Sequence, residues 1–135
     1  MAYGTLKSDV VQSSTAGTPP QFNDGNGTQT GTLCRAWVNF NGTGTVAIRA
    51  SFNVSSITDN GTGSYTVNYT TAMPDTNASV NVVGAAGTSA SGLRVYGLSS
   101  TLSASSVTVF SAYISSTGGS STPEDEPVMC VSVFR

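Results

Sequence analysis

This chain has no histidine, one lysine (Lys7) and two cysteines, Cys34 and Cys130. Without histidine its serines and cysteines have no Ser–His or Cys–His pairing, which removes the usual route to nucleophilic catalysis. Charge is scarce too. Charged residues make up 9% of the 135, against about 25% in ordinary soluble domains. A net charge of −2 supplies neither the counterion-release term of a nucleic-acid binder nor a polybasic membrane patch, so neither partner is expected. No apolar run is long enough to span a bilayer, and Met1–Lys7 lacks the apolar core of a signal peptide. The chain is therefore expected to be made and held in a cytoplasm. No window keeps an apolar period of 3.6 over three turns, which excludes substantial helix.

What the chain has is Ser and Thr, 40 residues together, and clusters of Val, Ile, Leu and aromatic residues at period two. That clustering separates it from a disordered chain of similar polarity. In Leu33–Phe40, residues Cys34, Ala36, Val38 and Phe40 share one face while Arg35, Trp37 and Asn39 share the other. Asn41-Gly42-Thr43-Gly44 is a hairpin signal, and Val46–Phe52 returns as a second strand. Strands are also predicted at 54–58, 65–70, 80–83, 93–98, 107–114 and 128–134, with Asp59-Asn60-Gly61-Thr62-Gly63 as a second turn of the same kind. Short strands separated by turns predict an all-β chain, an antiparallel β-sandwich of jelly-roll or Ig-like type. Residues 1–32 differ: Ser13–Pro20 and Asn23–Gly27 are rich in breakers. Tyr3, Leu6, Val10, Val11 and Phe22 are nevertheless more apolar anchors than a linker needs. This predicts an extended N-terminal arm over 1–32, ordered on another subunit, and a β-sandwich knob over 33–135.

The carboxylates are Asp9, Asp24, Asp59, Asp75, Glu124, Asp125 and Glu126. Two lie in the arm and two in turns, where Asp serves the backbone, so no pair faces another across a cleft. No catalytic residue, cofactor or metal site is expected, and the chain reads as a non-enzyme. Pro123-Glu124-Asp125-Glu126-Pro127 reads as a stiff, solvated loop; the sharper alternative has symmetry copies of it sharing a cation or a basic patch. Cys34 and Cys130 read as two small buried residues, with a disulfide as the alternative. They are placed near each other if the first and last strands pair. Six Asn-x-Ser/Thr triplets, at 26, 41, 53, 60, 68 and 77, follow from composition and need no glycan. Trp37, Tyr65, Tyr69, Tyr96 and Tyr113 are candidates for a sugar-stacking platform. Trp37 stands opposite the Cys34/Val38/Phe40 face, so apolar groups occupy both faces of one strand. That surplus predicts a second buried surface, hence an oligomer.

The run from Arg35 to Tyr69, Arg-Ala-Trp-Val-Asn-Phe-Asn-Gly-Thr-Gly onward, resembles a module of tailed-bacteriophage virion proteins, many from phages of cyanobacteria and marine bacteria. There the module stands at tail-fibre ends and in short free-standing proteins of decoration or cement type. The opening Met1–Lys7 and the closing Cys130–Arg135 are similar to that group as well, and the resemblance is strongest over residues 35 to 75. It implies a β-sandwich, a homotrimer and a place on the virion, with the major capsid protein as partner or, alternatively, tail proteins. Thirty-two breaker-rich residues without heptads make a poor fibre shaft, whereas an arm and a knob suit a capsid decoration protein. The expected assembly interface is Tyr3, Leu6, Val10, Val11, Phe22 and Trp37. The alternatives are a tail-fibre or tail-tip subunit, or a carbohydrate-binding module using Tyr96 and Tyr113.

Overall fold

The structure, a computed structural model, describes residues 7–12, 14–15, 21–23, 28–30, 33–86, 92–99, 102–115 and 119–135. The chain divides into two units, Met1–Leu33 and Cys34–Arg135. In the first, β1 (Gln21–Asn23) pairs antiparallel with β2 (Thr28–Thr30). The segment expected as an arm over 1–32 thus holds one short antiparallel ladder among its described residues. Tyr3 and Leu6 lie outside the described residues.

The second unit is the expected antiparallel sandwich. One sheet has the order β4-β3-β11-β7, built from β3 (Cys34–Asn41), β4 (Ala47–Phe52), β7 (Ser79–Ala85) and β11 (Val128–Phe134). The first and last long strands pair, with Val38 opposite Val131. The other sheet contains β5 (Val54–Gly61), β6 (Ser64–Tyr69), β8 (Gly92–Leu98), β9 (Ser106–Ser115) and β10 (Ser121–Pro123). Strand β9 organises it. Ser111 N–H donates to Gly63 O (2.8 Å) and Ser111 O accepts from Glu124 N–H (3.2 Å). One edge of β9 is thus shared end to end by β6 and β10, while β8 runs along the other. No helix occurs among the described residues.

Period-two alternation closes the core. Ala36, Val38 and Phe40 from β3 and Met129, Val131 and Val133 from β11 face Tyr65, Val67 and Tyr69 from β6 and Val107 and Val109 from β9. The Phe40 and Tyr65 rings meet edge to face, 5.2 Å between centroids. Each fully buried side chain of this size is worth about 1.5–3 kcal/mol over exposure. The sequence left open which face of β3 is the core, and packing answers it: the Val38 face is inside and Trp37 points out.

Glycine decides two close approaches. Gly63 takes φ +67° in the β5–β6 turn, and a Cβ there would run into Ser111 O and lie 2.8 Å from Glu124 N. At Gly42 a Cβ would lie 2.6 Å from Tyr65 Oη. Both glycines admit residues 124–126 to the core.

Candidate functional site

The loop Pro123–Pro127 is not the solvated loop the sequence suggested. Glu126 is fully buried, and the two prolines hold the acids at the polar end of the core. Arg94 of β8 ion-pairs with Glu126 (Nη1 to Oε1, 2.9 Å) and with Glu124. Its guanidinium also lies 5.4 Å above the Tyr113 ring. Arg94 and Tyr113 are direct cross-strand partners, so the β8–β9 ladder creates that stack. Asp125 Oδ1 accepts from Tyr65 Oη (2.6 Å) and from Gly63 N–H (2.7 Å). Glu126 O accepts from Gly42 N–H (2.9 Å), Glu124 O from Ser111 Oγ (2.6 Å), and Pro127 O from Arg49 Nη2 (2.6 Å).

Four strands (β4, β6, β8 and β9) and two turns are therefore tied to five residues of loop. Burial and the Asp125 hydrogen bond push the Tyr65 phenol far above its ordinary value. The Glu124 hydrogen bond raises Arg94, outweighing desolvation. Arg94 is the cation that faces Glu124 and Glu126, and a buried carboxylate such as Glu126 requires such a partner. Elsewhere, Asp59 accepts from Gly61 N–H (2.9 Å). Asp75 accepts two hydrogen bonds from Arg135 and one from Asn77 N–H, which hold its carboxyl down at about 2. Among the described residues, no three His, Cys, Asp or Glu side chains are grouped to hold a metal ion.

The uncovered surface lies on the other side of the four-stranded sheet. Trp37, 39% exposed, stands opposite Phe52 of β4, 55% exposed. Across the sheet Val83 of β7 is 61% exposed, and the half-buried Cys130 and Phe134 of β11 lie on the same face. Exposed Arg35 sits at one end. Both cysteines are free and half-buried. Cys130 faces outward beside Asn39, whose Nδ2 lies 3.1 Å from its sulfur. A register shift between Val133 and Phe134 breaks the alternation at Arg35, so Cys34 leaves the core face that Ala36 begins. The two thiols share one strand pair without bonding, and neither is the fully buried residue expected.

The expected interface residues fall in both units, with Tyr3 and Leu6 outside the described residues. Trp37 lies on the outer face; Val10 and Val11 are exposed in the first unit, at 72% and 61%; Phe22 stands in β1 opposite Gln29. Tyr96 and Tyr113 form no sugar platform, because both are half-buried on the inward side of β8 and β9. Tyr96 packs where a Gly84 Cβ would lie 2.6 Å from its Cε1, and Tyr113 lies under Arg94. Phe52, Val83 and Ile48 were missed as surface residues. For Phe52 the signal was present, since pairing the predicted strands about the Asn41–Gly44 turn brings it beside Trp37. No protein-family model, curated protein or solved structure matches this chain.

Proposed function

We propose that this chain is a non-enzymatic structural protein of a phage particle, a homotrimeric capsid decoration protein whose sandwich knob and N-terminal segment join neighbouring subunits of the shell. The observation that carries the assembly part of this reading is the uncovered outer face of the β4-β3-β11-β7 sheet. It displays Trp37 and Phe52 side by side, and Val83 two strands away, in water, and exposed apolar side chains of this size on a small β domain mark a surface for a partner. Exposed Val10 and Val11 add a second set of apolar side chains on the first unit. The phage and capsid part rests on the resemblance of residues 35–69 and of both chain ends.

Electron cryo-microscopy of purified particles tests it. Density for this chain repeated across the shell, lost from particles assembled with Trp37→Asp, is the expected result. Density confined to the tail replaces decoration with the fibre reading, and its absence from the particle overturns both.

A further inference from the structure

The tetrapeptide Asn-Gly-Thr-Gly occurs twice, at 41–44 and at 60–63, and the fold treats the two copies in opposite ways. In Asn-Gly a backbone amide can attack the preceding side chain, because glycine leaves that nitrogen unshielded and the chain free to turn. The first copy is locked. Gly42 is buried, its N–H donates to Glu126 O (2.9 Å), and a Cβ there would lie 2.6 Å from Tyr65 Oη. The Asn41 carboxamide is held at both ends. Its Nδ2 donates to Thr43 O and to Thr45 O (3.1 Å), and its Oδ1 accepts from Thr43 Oγ1 (2.9 Å).

The second copy is open. Asn60 and Gly61 are both exposed, and nothing lies within 4 Å of where a Gly61 Cβ would point. In the β5–β6 ladder Asp59 opposes Tyr65 and Gly61 opposes Ser64, so the bulge leaves Asn60 without an opposing residue. Asn60 Nδ2 donates to Thr66 Oγ1 (2.9 Å), and Gly61 N–H donates to Asp59 Oδ1 (2.9 Å). Both bonds lie at the exposed surface, where water takes their place whenever the turn flexes. The Gly42 nitrogen, by contrast, is freed only if the 123–127 loop withdraws from the core.

We propose that Asn60 is a site of spontaneous deamidation in the folded protein, and that the fold protects Asn41 from the same reaction. The Gly61 nitrogen gives its proton to solvent base and attacks Asn60 Cγ. The new N–C bond closes a five-membered succinimide as the Cγ–Nδ2 bond breaks and ammonia departs. Water then adds to either ring carbonyl, and ring opening leaves aspartate or isoaspartate at position 60. Both products replace the amide that served Thr66 with a carboxylate beside Asp59. Isoaspartate also carries the main chain through the side-chain carbon. That lengthens by one CH2 the turn that seats Gly63 against Ser111 O.

The wild-type chain carries its own control. It is incubated folded at mildly alkaline pH and then digested with trypsin. Cleavage after Arg35, Arg49 and Arg94 puts Asn41 in the peptide 36–49 and Asn60 in the peptide 50–94. Mass spectrometry with electron-transfer fragmentation locates each conversion and separates aspartate from isoaspartate. Conversion at Asn60 should run about 5- to 100-fold faster than at Asn41, the ratio set by the extra hydrogen bonds around Asn41 and Gly42. A parallel incubation in guanidinium chloride should bring the two rates close together, since the tetrapeptides are identical. Equal rates in the folded chain, or an Asn60 that converts only after unfolding, overturn the proposal. Asn60→Gln, whose longer side chain closes a less favourable six-membered ring, should abolish conversion in 50–94 and leave Asn41 unchanged. Conversion in 50–94 that survives this substitution would overturn the proposal by placing the reaction at another asparagine.

Discussion

The phenol of Tyr65 lies 2.6 Å from Asp125 Oδ1, joining residues 60 apart in sequence across the end of the core. The phenol oxygen also lies 3.0 Å from Gly42 O, so its single proton, given to Asp125 at the shorter distance, sits where the turn after β3, strand β6 and the 123–127 loop meet. Tyr65→Phe keeps the ring against Phe40 and removes only this link. We expect a loss of about 1–3 kcal/mol, seen as a lower urea midpoint with an unchanged slope. A midpoint equal to wild type would show that water replaces the phenol without cost.

Arg94 serves two acids, and the acids are not equivalent. Arg94→Met leaves Glu126 buried without its cation and should cost about 3–5 kcal/mol. Glu126→Gln should cost less, because Arg94 keeps Glu124. Equilibrium unfolding of the two variants checks the order, and the reverse order would show that Glu126 is held by groups other than Arg94.

Alkali should unfold the knob earlier than its composition suggests. Burial pushes Tyr69 up to about 12 and Tyr65 further still. Above about pH 10 the unfolded chain loses phenolic protons that the folded chain retains. The native state then binds more protons than the unfolded one, so stability falls as pH rises. Stability is intact below pH 10, and through the window from 10 to 12 each tyrosine contributes a loss of about 1.4 kcal/mol per pH unit. Urea unfolding at several pH values should show this slope, and Tyr69→Phe should reduce it without abolishing it, since Tyr65 and Tyr96 are also raised, chiefly by burial.

Two glycines of similar φ should respond differently to alanine. Gly44 (φ +62°) has open space where a Cβ would go, while Gly63 (φ +67°) has the Ser111 and Glu124 backbones. Gly44→Ala should cost about 1–2 kcal/mol from conformation alone. Gly63→Ala should cost clearly more, since it also forces β6 and β10 apart. Thermal or urea unfolding of both variants separates strain from collision.

Trp37 is only partly covered in a single copy, so Trp37→Ala should cost the isolated chain less than the about 3–5 kcal/mol of a fully buried ring. Its effect on assembly should be large by comparison. Comparing unfolding of the chain with its recovery on particles measures both. A variant that unfolds normally and still assembles fully would remove Trp37 from the interface.

Much of the fold was legible. Strands β3 to β9 and β11 lie where alternation placed them, and β3 and β11 pair as first and last strands commonly do. The short polar pieces were not legible. Thr-Gln-Thr in β2 and Ser-Thr-Pro in β10 carry no apolar alternation, and their ladders come from backbone pairing alone. The cluster at 124–126 was misread for a related reason. Three acids between prolines look solvated until a cation 30 residues away in sequence is brought against them by the β8–β9 ladder.

By itself, the sequence determined that this chain is all-β, where its strands run and which residues share a face, because period-two alternation is a local property. Only the tertiary structure decided which face of β3 is inside, that Glu126 is buried, and that β4 is left open on both faces. Those depend on what packs opposite: Tyr65 and Val67 lie in the core with Val38, Arg94 pairs with the buried Glu126, and no described strand lies beyond β4.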